Sequence, residues 1–280
     1  MKAKTVYLTI TAMVLCLSQA VAQDVIYTAG DSISLEEIAR KHSIEKCNGE
    51  RIIDIAKEFI GEKYVAGTLE TQGEPLYISR SNLDCTTFVE TVLALFKSVK
   101  EGGGSFSDIC RNLEKTRYRD GIRNGYTSRL HYISWWIDSN SETLKEISTR
   151  HHTATQQLTL NFMSTHPDKY PALARNAGRI DTIAGLEKPY LGIEVRYIPK
   201  EKVPLLERSE VKEGDIIAIV TAIEGLDVSH MGFAIWHGES LHMIHASSQK
   251  GIVINDNETL YCYLKSRKHH LGIRVLRVIE

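Results

Sequence analysis

The chain has 280 residues, a formal net charge of −1, 25% charged residues and 42% hydrophobic residues. This balance is ordinary for a soluble globular protein and lacks the basic excess by which nucleic-acid-binding proteins usually hold their partner. We therefore expect no nucleic-acid partner and, from the length, one large domain or two small ones.

The first residues form the pattern of a secretory signal peptide. Lys2 and Lys4 precede an apolar run from Val6 to Leu17, and small residues follow before Gln23. The alternative is a membrane anchor, but the run is short for a bilayer span and is interrupted by polar residues. We expect cleavage before Gln23, which makes the mature protein exported and periplasmic, with no membrane anchor after cleavage.

Two short helices are predicted near the start of the mature chain. Asp31 or Ser32 can cap a brief helix, because short side-chain oxygens accept the free amide hydrogens at a helix start. A second helix is predicted from Arg51 to Ile60, and Gly61 is expected to end it.

Residues 83–99 predict a buried helix, since apolar side chains recur there at helical spacing. Asp84 suits the N-cap, which puts Cys85 at the first helical position. The free N–H groups and the helix dipole favour a thiolate there, and the thiolate is the nucleophilic form of cysteine. The position alone is equally compatible with a buried, inert cysteine.

The remainder of the chain changes from a mostly helical and irregular segment, residues 105–200, to a run of strands. Five strands are predicted at Asp215–Val220, Met231–Trp236, Leu241–Ala246, Gly251–Asn255 and Ile273–Ile279. Helices followed by consecutive strands indicate an α+β fold with an antiparallel sheet.

Two histidines of the strand region are predicted to lie close together. Met231–Ala246 is typical of a hairpin, and if Gly238–Glu239 is its tip, position 232 faces His245. His230 shares the face of position 232, so the two histidines would be diagonal neighbours about 7–8 Å apart at Cα. A three-residue loop would change the parity and separate them. Each histidine alone suits a surface position, but the pair suits the base and orienting group that a thiol nucleophile needs.

The 11 histidines do not have the spacing of a metal site. No H-E-x-x-H pair occurs, and the adjacent pairs His151-His152 and His269-His270 would point to opposite faces of a strand. No C-x-x-C spacing occurs either. We therefore expect no metal and no other cofactor.

The cysteines leave their pairing open. An exported protein is expected to use cysteines in disulfides. If Cys85 is a free nucleophile, Cys47, Cys110 and Cys262 cannot all be paired.

Four segments, in order along residues 61–247, resemble the NlpC-type cell-wall cysteine peptidases. They are Gly61–Gly67 for the family's G-x-P-Y-x-W-G (without its Pro and Trp), Leu83–Val89 for its D-C-S/T-x-F helix start, Ser229–Ala234 for its H-V-G-I-Y strand and Met243–Ser247 for its F-I-H-A-S strand. The resemblance implies a papain-like α+β fold with the cysteine helix packed on an antiparallel sheet.

The resemblance also implies roles for single residues. Cys85 would be the nucleophile, His230 the base and His245 the residue that orients the base. Tyr64 would lie near the thiol and position the substrate or the oxyanion, although a packed aromatic is the alternative. Members of this family hydrolyse amide bonds of peptidoglycan stem peptides.

A longer match resembles one branch, the N-acetylmuramoyl-L-alanine amidase-like proteins. It adds Tyr126–Tyr132 to an extended cysteine segment, Leu83–Glu90. This branch implies cleavage between the lactyl group of N-acetylmuramic acid and L-alanine, with preference for the 1,6-anhydro sugar. The expected partners are therefore soluble peptidoglycan fragments (muropeptides).

The stretch from Arg123 to Trp136 is the candidate for substrate recognition. Arg123 and Arg129 are expected to bind stem-peptide carboxylates. The aromatic residues are expected to present faces to a sugar ring: Tyr126, Tyr132, Trp135 and Trp136. The alternative is that these aromatics are core residues and that the arginines lie in solvent.

The predicted organisation is a signal peptide followed by a single catalytic domain. The boundaries are 1–22 for the signal peptide and 23–280 for the domain, divided into a cysteine-helix half (49–100), a helical insertion for substrate recognition (105–200) and a β half with the histidines (205–280). We expect a monomer.

Two other functions stay open from the sequence. An endopeptidase cutting between D-glutamate and diaminopimelate would use the same three residues. A non-catalytic peptidoglycan-binding module would keep ligand binding without thiol reactivity.

Overall fold

The computed structural model describes residues 25–43, 49–147 and 149–279. The predicted signal peptide and Cys47 lie outside the described residues. None of the helices in the described part of the chain is long and apolar enough to cross a bilayer.

Helices dominate the first half of the described chain. Their bounds are α1 (Ala29–His42), α2 (Gly49–Lys57), α3 (Cys85–Lys100), α4 (Phe106–Arg117), α5 (Ile133–Ser139), α6 (Phe162–Thr165), α7 (Ala177–Glu187) and α8 (Leu260–Lys265). Short 3-10 segments lie at Arg119–Gly121, Tyr126–Ser128, Pro167–Lys169, Lys188–Tyr190 and Lys200–Leu205.

Strands dominate the second half. Their bounds are β1 (Val25–Ile26), β2 (Lys63–Tyr64), β3 (Leu76–Tyr77), β4 (Asn82–Leu83), β5 (Leu144–Glu146), β6 (Ala154–Thr159), β7 (Leu191–Pro199), β8 (Ile216–Thr221), β9 (Val228–His237), β10 (Ser240–Ser247), β11 (Ile252–Asn255) and β12 (His270–Val278).

Within the described residues, ten strands form one sheet in the order β4-β2-β11-β10-β9-β8-β12-β7-β6, with β5 also paired to β12. The β2–β4 pair is parallel and the other pairs of this sheet are antiparallel. β1 and β3 form a separate parallel pair. The prediction of an α+β fold with a mostly antiparallel sheet is confirmed, and so are the five strands predicted after residue 211.

The middle of the sheet is covered on both faces. In β8, Ile216 and Ala218 belong to the core beneath the amino-terminal helices, whereas Ile217 and Ile219 belong to a second core beneath α8. Alternating side chains of one strand point to opposite faces, so a strand between two helical layers is apolar throughout. α3 packs on β9 and β10, with the ring of Phe88 edge-on to that of Phe233.

The N-cap residue was predicted correctly for α3 but not for α1. The Asp84 carboxylate accepts the amide hydrogen of Thr87 at 2.8 Å, which confirms Asp84 as the cap of α3 and Cys85 as its first residue. α1 begins earlier than predicted, because Thr28 is its cap. Asp31, one of the two predicted caps, instead accepts the amide hydrogen of Thr28 in a capping box.

The central segment, residues 105–200, holds three strands as well as helices. These strands, β5, β6 and β7, were not predicted. β6 is mostly polar and lacks the apolar alternation by which a strand is recognised in sequence. β7 has that alternation, at Leu191, Ile193, Val195 and Tyr197, and the prediction overlooked it. Because β7 pairs with β12, this segment extends the main sheet.

Candidate active site

The thiol of Cys85 lies at the point where α3 begins and β9 passes. Its side chain is partly exposed. The backbone N–H of Met231 donates to the sulfur, and the hydroxyl of Thr86 and the N–H of Cys85 do so as well. Since Met231 follows His230 directly, the thiol is held against the strand that carries the predicted base.

The thiol is neutral in the resting site. Burial, followed by the negative charge of Asp84, raises the pKa of Cys85 to about 12, and the hydrogen bonds to the sulfur only partly offset this rise. Burial and the Asp84 carboxylate thus oppose the thiolate that the helix start was expected to favour. Desolvation and a neighbouring carboxylate outweigh the amide dipoles.

The two histidines of the hairpin are hydrogen-bonded to each other. His230 Nε2 lies 2.7 Å from His245 Nδ1, and the two rings are nearly perpendicular at 86°. Ser240 pairs with His237 across the turn, so the predicted two-residue tip and the parity that follows from it are confirmed.

Two backbone features bring these rings together. β9 has a bulge next to His230, because Ile219 pairs with His230 while Val220 pairs with Val228. Gly232 makes the close approach to β10 possible: a Cβ there would stand 2.6 Å from the carbonyl oxygen of Ile244 and 2.8 Å from the Cβ of His245. Such contacts are too short for any larger residue without movement of a strand.

Asp256 completes the chain of polar groups, and sequence reasoning missed it. Its Oδ2 lies 3.2 Å from His245 Nε2. His245 pairs with Ile254 across the sheet, so Asp256, two residues further on, lies on the same face. The strand β11 pairs with the strand that carries His245, and an acidic residue follows β11 directly. That position is the sequence signal by which Asp256 could have been predicted.

The carboxylate of Asp256 fixes the protons on both rings. It can only accept, so His245 Nε2 donates to it and His245 Nδ1 is left as an acceptor. His230 Nε2 then donates to His245 Nδ1, which leaves His230 Nδ1 with its lone pair free. The arrangement therefore leaves one particular nitrogen of His230 able to accept a proton.

Both imidazoles are neutral near pH 7. Burial is the main cause that lowers the pKa of His230 well below its usual range, and the neighbouring His245, His270 and Arg267 lower it further. Burial also lowers the pKa of His245, although the hydrogen bond and charge of Asp256 oppose the change. The site thus rests as a neutral thiol beside a neutral base.

Two tyrosines border the site. Burial raises the pKa of Tyr64, and the interactions with Cys85, when ionised, and with Asp84 raise it further, which places its phenol near the thiol. The ring of Tyr263 is stacked 6.0 Å from that of His230 and lies edge-on to that of His245.

Two open cavities adjoin the site and share no lining residue. One, of about 160 Å³, is walled by Thr86 at the helix start and by Arg129. The other, of about 490 Å³, lies beyond the histidines and is walled by Tyr263 and Arg267. The substrate thus has room on both the thiol side and the histidine side.

The aromatic residues predicted to hold a sugar are buried. Trp135 and Trp136 are 0% and 1% exposed, and Tyr126 and Tyr132 are 4% and 2% exposed. The Tyr132 hydroxyl donates to Glu187 at 2.7 Å. The prediction of direct substrate contact is therefore wrong for Tyr132 in this structure, because the ring and its hydroxyl are occupied in the core.

The two arginines of this stretch are paired with carboxylates of the protein itself. Arg129 is 4% exposed, with Nη2 at 2.8 Å from Glu70 and Nε at 3.3 Å from Glu74. Arg123 lies 3.6 Å from Glu114 and donates to the carbonyl oxygen of Glu74. Arg129 reaches the smaller cavity, but its charge is already compensated there, which weakens the prediction that it binds a substrate carboxylate.

The other cysteines lie apart from this arrangement. Cys110 is buried, Cys262 is exposed and both are free, as Cys85 is. Among the described residues, no group of three His, Cys, Asp or Glu side chains is arranged to hold a metal ion.

Residues 54–273 match the family described as AmiA-like, N-acetylmuramoyl-L-alanine amidase-like. The chain belongs to this amidase-like family.

Solved structures support the assignment. A Bacteroides uniformis N-acetylmuramoyl-L-alanine amidase is 39% identical with a TM-score of 0.78, over 83% of this amidase-like chain and 99% of that one. A Bacteroides fragilis protein described as a candidate xylanase is 43% identical with a TM-score of 0.74, over 80% and 99%. A Legionella pneumophila protein at 24% identity and a TM-score of 0.66 shares the fold, over 89% and 94%. No curated protein matches the chain.

Proposed function

We propose that this amidase-like chain hydrolyses the amide bond between the lactyl group of N-acetylmuramic acid and L-alanine, with Cys85 as nucleophile. The observation that carries the proposal is the hydrogen-bonded series His230–His245–Asp256 beside the thiol. Family membership supplies the bond and the series supplies the chemistry.

The first step forms an acyl-enzyme. His230 Nδ1 takes the thiol proton as the sulfur attacks the lactyl carbonyl, and the positive charge that forms on His230 is shared through His245 with Asp256. The N–H of Cys85 and the phenol of Tyr64 lie near the thiol and can stabilise the oxyanion. Collapse of the tetrahedral intermediate breaks the C–N bond, and His230 gives its proton to the departing amine of L-alanine.

The second step releases the sugar. A water molecule loses a proton to His230 and attacks the thioester, and the sulfur leaves as His230 returns the proton to it. The net reaction consumes one water molecule. Its products are N-acetylmuramic acid with a free lactyl carboxylic acid and a stem peptide with a free amino terminus. No cofactor takes part.

The arrangement differs from that of a glycoside hydrolase. Such enzymes usually place two carboxyl groups on either side of the glycosidic bond. Here two hydrogen-bonded imidazoles stand on the strands that pack against the cysteine helix, and Asp84 beside Cys85 is engaged as the cap of α3. These contacts favour acyl transfer over the xylanase activity named for the Bacteroides fragilis relative.

Three finer parts of the proposal rest on the sequence motifs: membership of the papain-like NlpC superfamily, preference for the 1,6-anhydro sugar, and export to the periplasm by the signal peptide at residues 1–22. We also propose that the protein acts as a monomer. A soluble anhydro-muropeptide fits an exported enzyme without an anchor, because such fragments arise during cell-wall turnover.

Product analysis tests the proposal. The purified protein is incubated with anhydro-muropeptides and with the same stems on a reducing sugar, and products are identified by mass spectrometry. We expect an intact stem peptide beginning with L-alanine, formed faster from the anhydro substrate. Release of L-Ala-γ-D-Glu still attached to the sugar would show the endopeptidase instead, and unchanged substrate with retained binding would show a non-catalytic module.

A further inference from the structure

The larger cavity beside the histidines has no role in the mechanism above. Its volume is about 490 Å³, and its polar lining includes Ser247, Gln249, Glu258, Tyr263, Ser266 and Arg267. One of its walls is Tyr263, whose ring is stacked on that of His230, so a single aromatic ring separates the cavity from the histidine.

Arg267 is fixed at the wall of this cavity. Its guanidinium carbon lies 3.6 Å from the centre of the Tyr263 ring. Nη1 donates to the carbonyl oxygen of Tyr263 and to the hydroxyl of Ser266, and Nη2 donates to Gln249, each at 2.9 Å. These bonds use three of the five N–H groups of a guanidinium and hold its plane in place. The side chain remains 28% exposed.

The charge of Arg267 is only loosely compensated. The carboxylate of Glu258 lies 3.9 Å from Nη1 and is itself 38% exposed. After burial, the positive charge of Arg267 is among the causes that lower the pKa of both His230 and His245, so its field reaches the reacting groups. Arg129, by contrast, contacts two carboxylates at 2.8 and 3.3 Å.

The chemistry decides which part of the substrate meets this cavity. A base that gives its proton to the leaving amine must lie on the side of the leaving group. The smaller cavity lies at the helix start beside the thiol, so it suits the acyl sugar, and the cavity beyond His230 suits the departing peptide.

We propose that Arg267 and its cavity form a subsite for a carboxylate of the departing peptide, namely the free α-carboxylate of the D-glutamate that follows L-alanine. This inference rests on the proposed function. Two residues span at most about 7 Å from the scissile nitrogen. The Tyr263 ring centre lies 6.0 Å from that of His230, and the guanidinium carbon of Arg267 lies 3.6 Å from the centre of the Tyr263 ring, so a group about two residues from the scissile nitrogen comes near Arg267. Guanidinium and carboxylate match in geometry and charge.

A matched substrate pair tests the subsite. One substrate is anhydro-N-acetylmuramoyl-L-alanyl-D-glutamate with its γ-carboxyl amidated, and the other also has its α-carboxyl amidated, so that the two differ only in the charge of the α-carboxylate. For the natural protein we expect kcat/KM to be about tenfold higher for the acid, mainly through KM, as for a charge-assisted hydrogen bond at a partly exposed site. In Arg267→Gln the ratio falls to about one, and in Arg267→Lys part of it returns.

The control is Arg111→Gln, which removes an exposed arginine of α4 that lines neither cavity and should keep the full ratio. The readout is the ratio of kcat/KM for the two substrates. A general loss of activity caused by a displaced Tyr263 lowers both values equally and leaves this ratio unchanged. An equal rate for acid and amide in the natural protein, or a full preference in Arg267→Gln, would overturn the subsite. Failure to hydrolyse either substrate would instead overturn the proposed function.

Discussion

His230 Nε2 and His245 Nδ1 are 2.7 Å apart, and the second ring nitrogen of His245 faces the carboxylate of Asp256. The three residues come from β9, from β10 and from the end of β11, and each is a diagonal neighbour of the next on one face of the sheet. The sheet register therefore aligns three polar groups in a hydrogen-bonded series that ends at His230, the residue before Met231, whose backbone N–H contacts the thiol of Cys85.

Asp256 is predicted to act by setting tautomers. In Asp256→Asn, Oδ1 keeps its bond from the backbone N–H of Glu258, so the amide nitrogen faces His245 and donates where the carboxylate accepted. Both rings then adopt the opposite tautomer and His230 Nδ1 carries a proton. We expect kcat/KM to fall by at least about 100-fold, and by less in Asp256→Ala, which removes the preference without reversing it.

Two measurements separate this role from a structural one. Nitrogen NMR shifts of the two imidazoles should show the exchanged tautomers in Asp256→Asn. The thermal unfolding temperatures of Asp256→Asn and Asp256→Ala should be nearly the same. Full activity in Asp256→Asn, or unchanged tautomers, would refute this role.

The pH profile follows from the neutral histidines. The pKa of His230 is lowered well below 6.5, so the base stays unprotonated as the pH falls through 6.5. We expect kcat/KM to be nearly level from pH 8 down to about pH 6.5, with its acid limb below the ordinary histidine range. An acid limb centred above pH 7 would contradict the buried, neutral base.

The reactivity of Cys85 should rise steadily with pH. Burial raises its thiol pKa to about 12, so the thiolate fraction grows about tenfold per pH unit between pH 7 and 10. Iodoacetamide labelling of the Cys85 peptide, followed by mass spectrometry in a Cys262→Ser background, measures this rate. A pH-independent rate between pH 6 and 8 would show a preformed thiolate–imidazolium pair instead.

Gly232 is predicted to be required for the histidine contact. A methyl group there would press against the carbonyl oxygen of Ile244 at 2.6 Å, so Gly232→Ala must move β9 away from β10. We expect a loss of about 1–3 kcal/mol in unfolding free energy and a larger proportional loss of kcat/KM. Gly185→Ala is the control, since a Cβ there meets nothing within 4 Å in α7 and should leave activity unchanged. Equal behaviour of the two variants in urea unfolding and turnover would refute the requirement.

The sequence predicted those parts of the site that depend on short-range rules. The cap at Asp84 follows from one side chain and its neighbouring amides. The pairing of His230 with His245 follows from the alternation of side chains in a tight hairpin. Both are decided within a few residues of the chain.

The parts that sequence did not predict depend on contacts between distant segments. Asp256 reaches His245 only because β11 pairs with β10. Whether Tyr132 faces substrate or core was decided by Glu187, 55 residues away. The thiol pKa of Cys85 depends on burial by the assembled fold, which outweighed the local helix start.

The hydrolysis of an anhydro-muropeptide by Cys85→Ala tests the central claim most directly. Cys110→Ala is the matched control, since Cys110 is free and lies in α4 away from the histidines. We predict that kcat/KM of Cys85→Ala falls by at least about 10⁴-fold with no loss of folding, while the control keeps its activity. Substantial release of the L-alanine-terminated stem peptide by Cys85→Ala would contradict the assignment of Cys85 as the nucleophile.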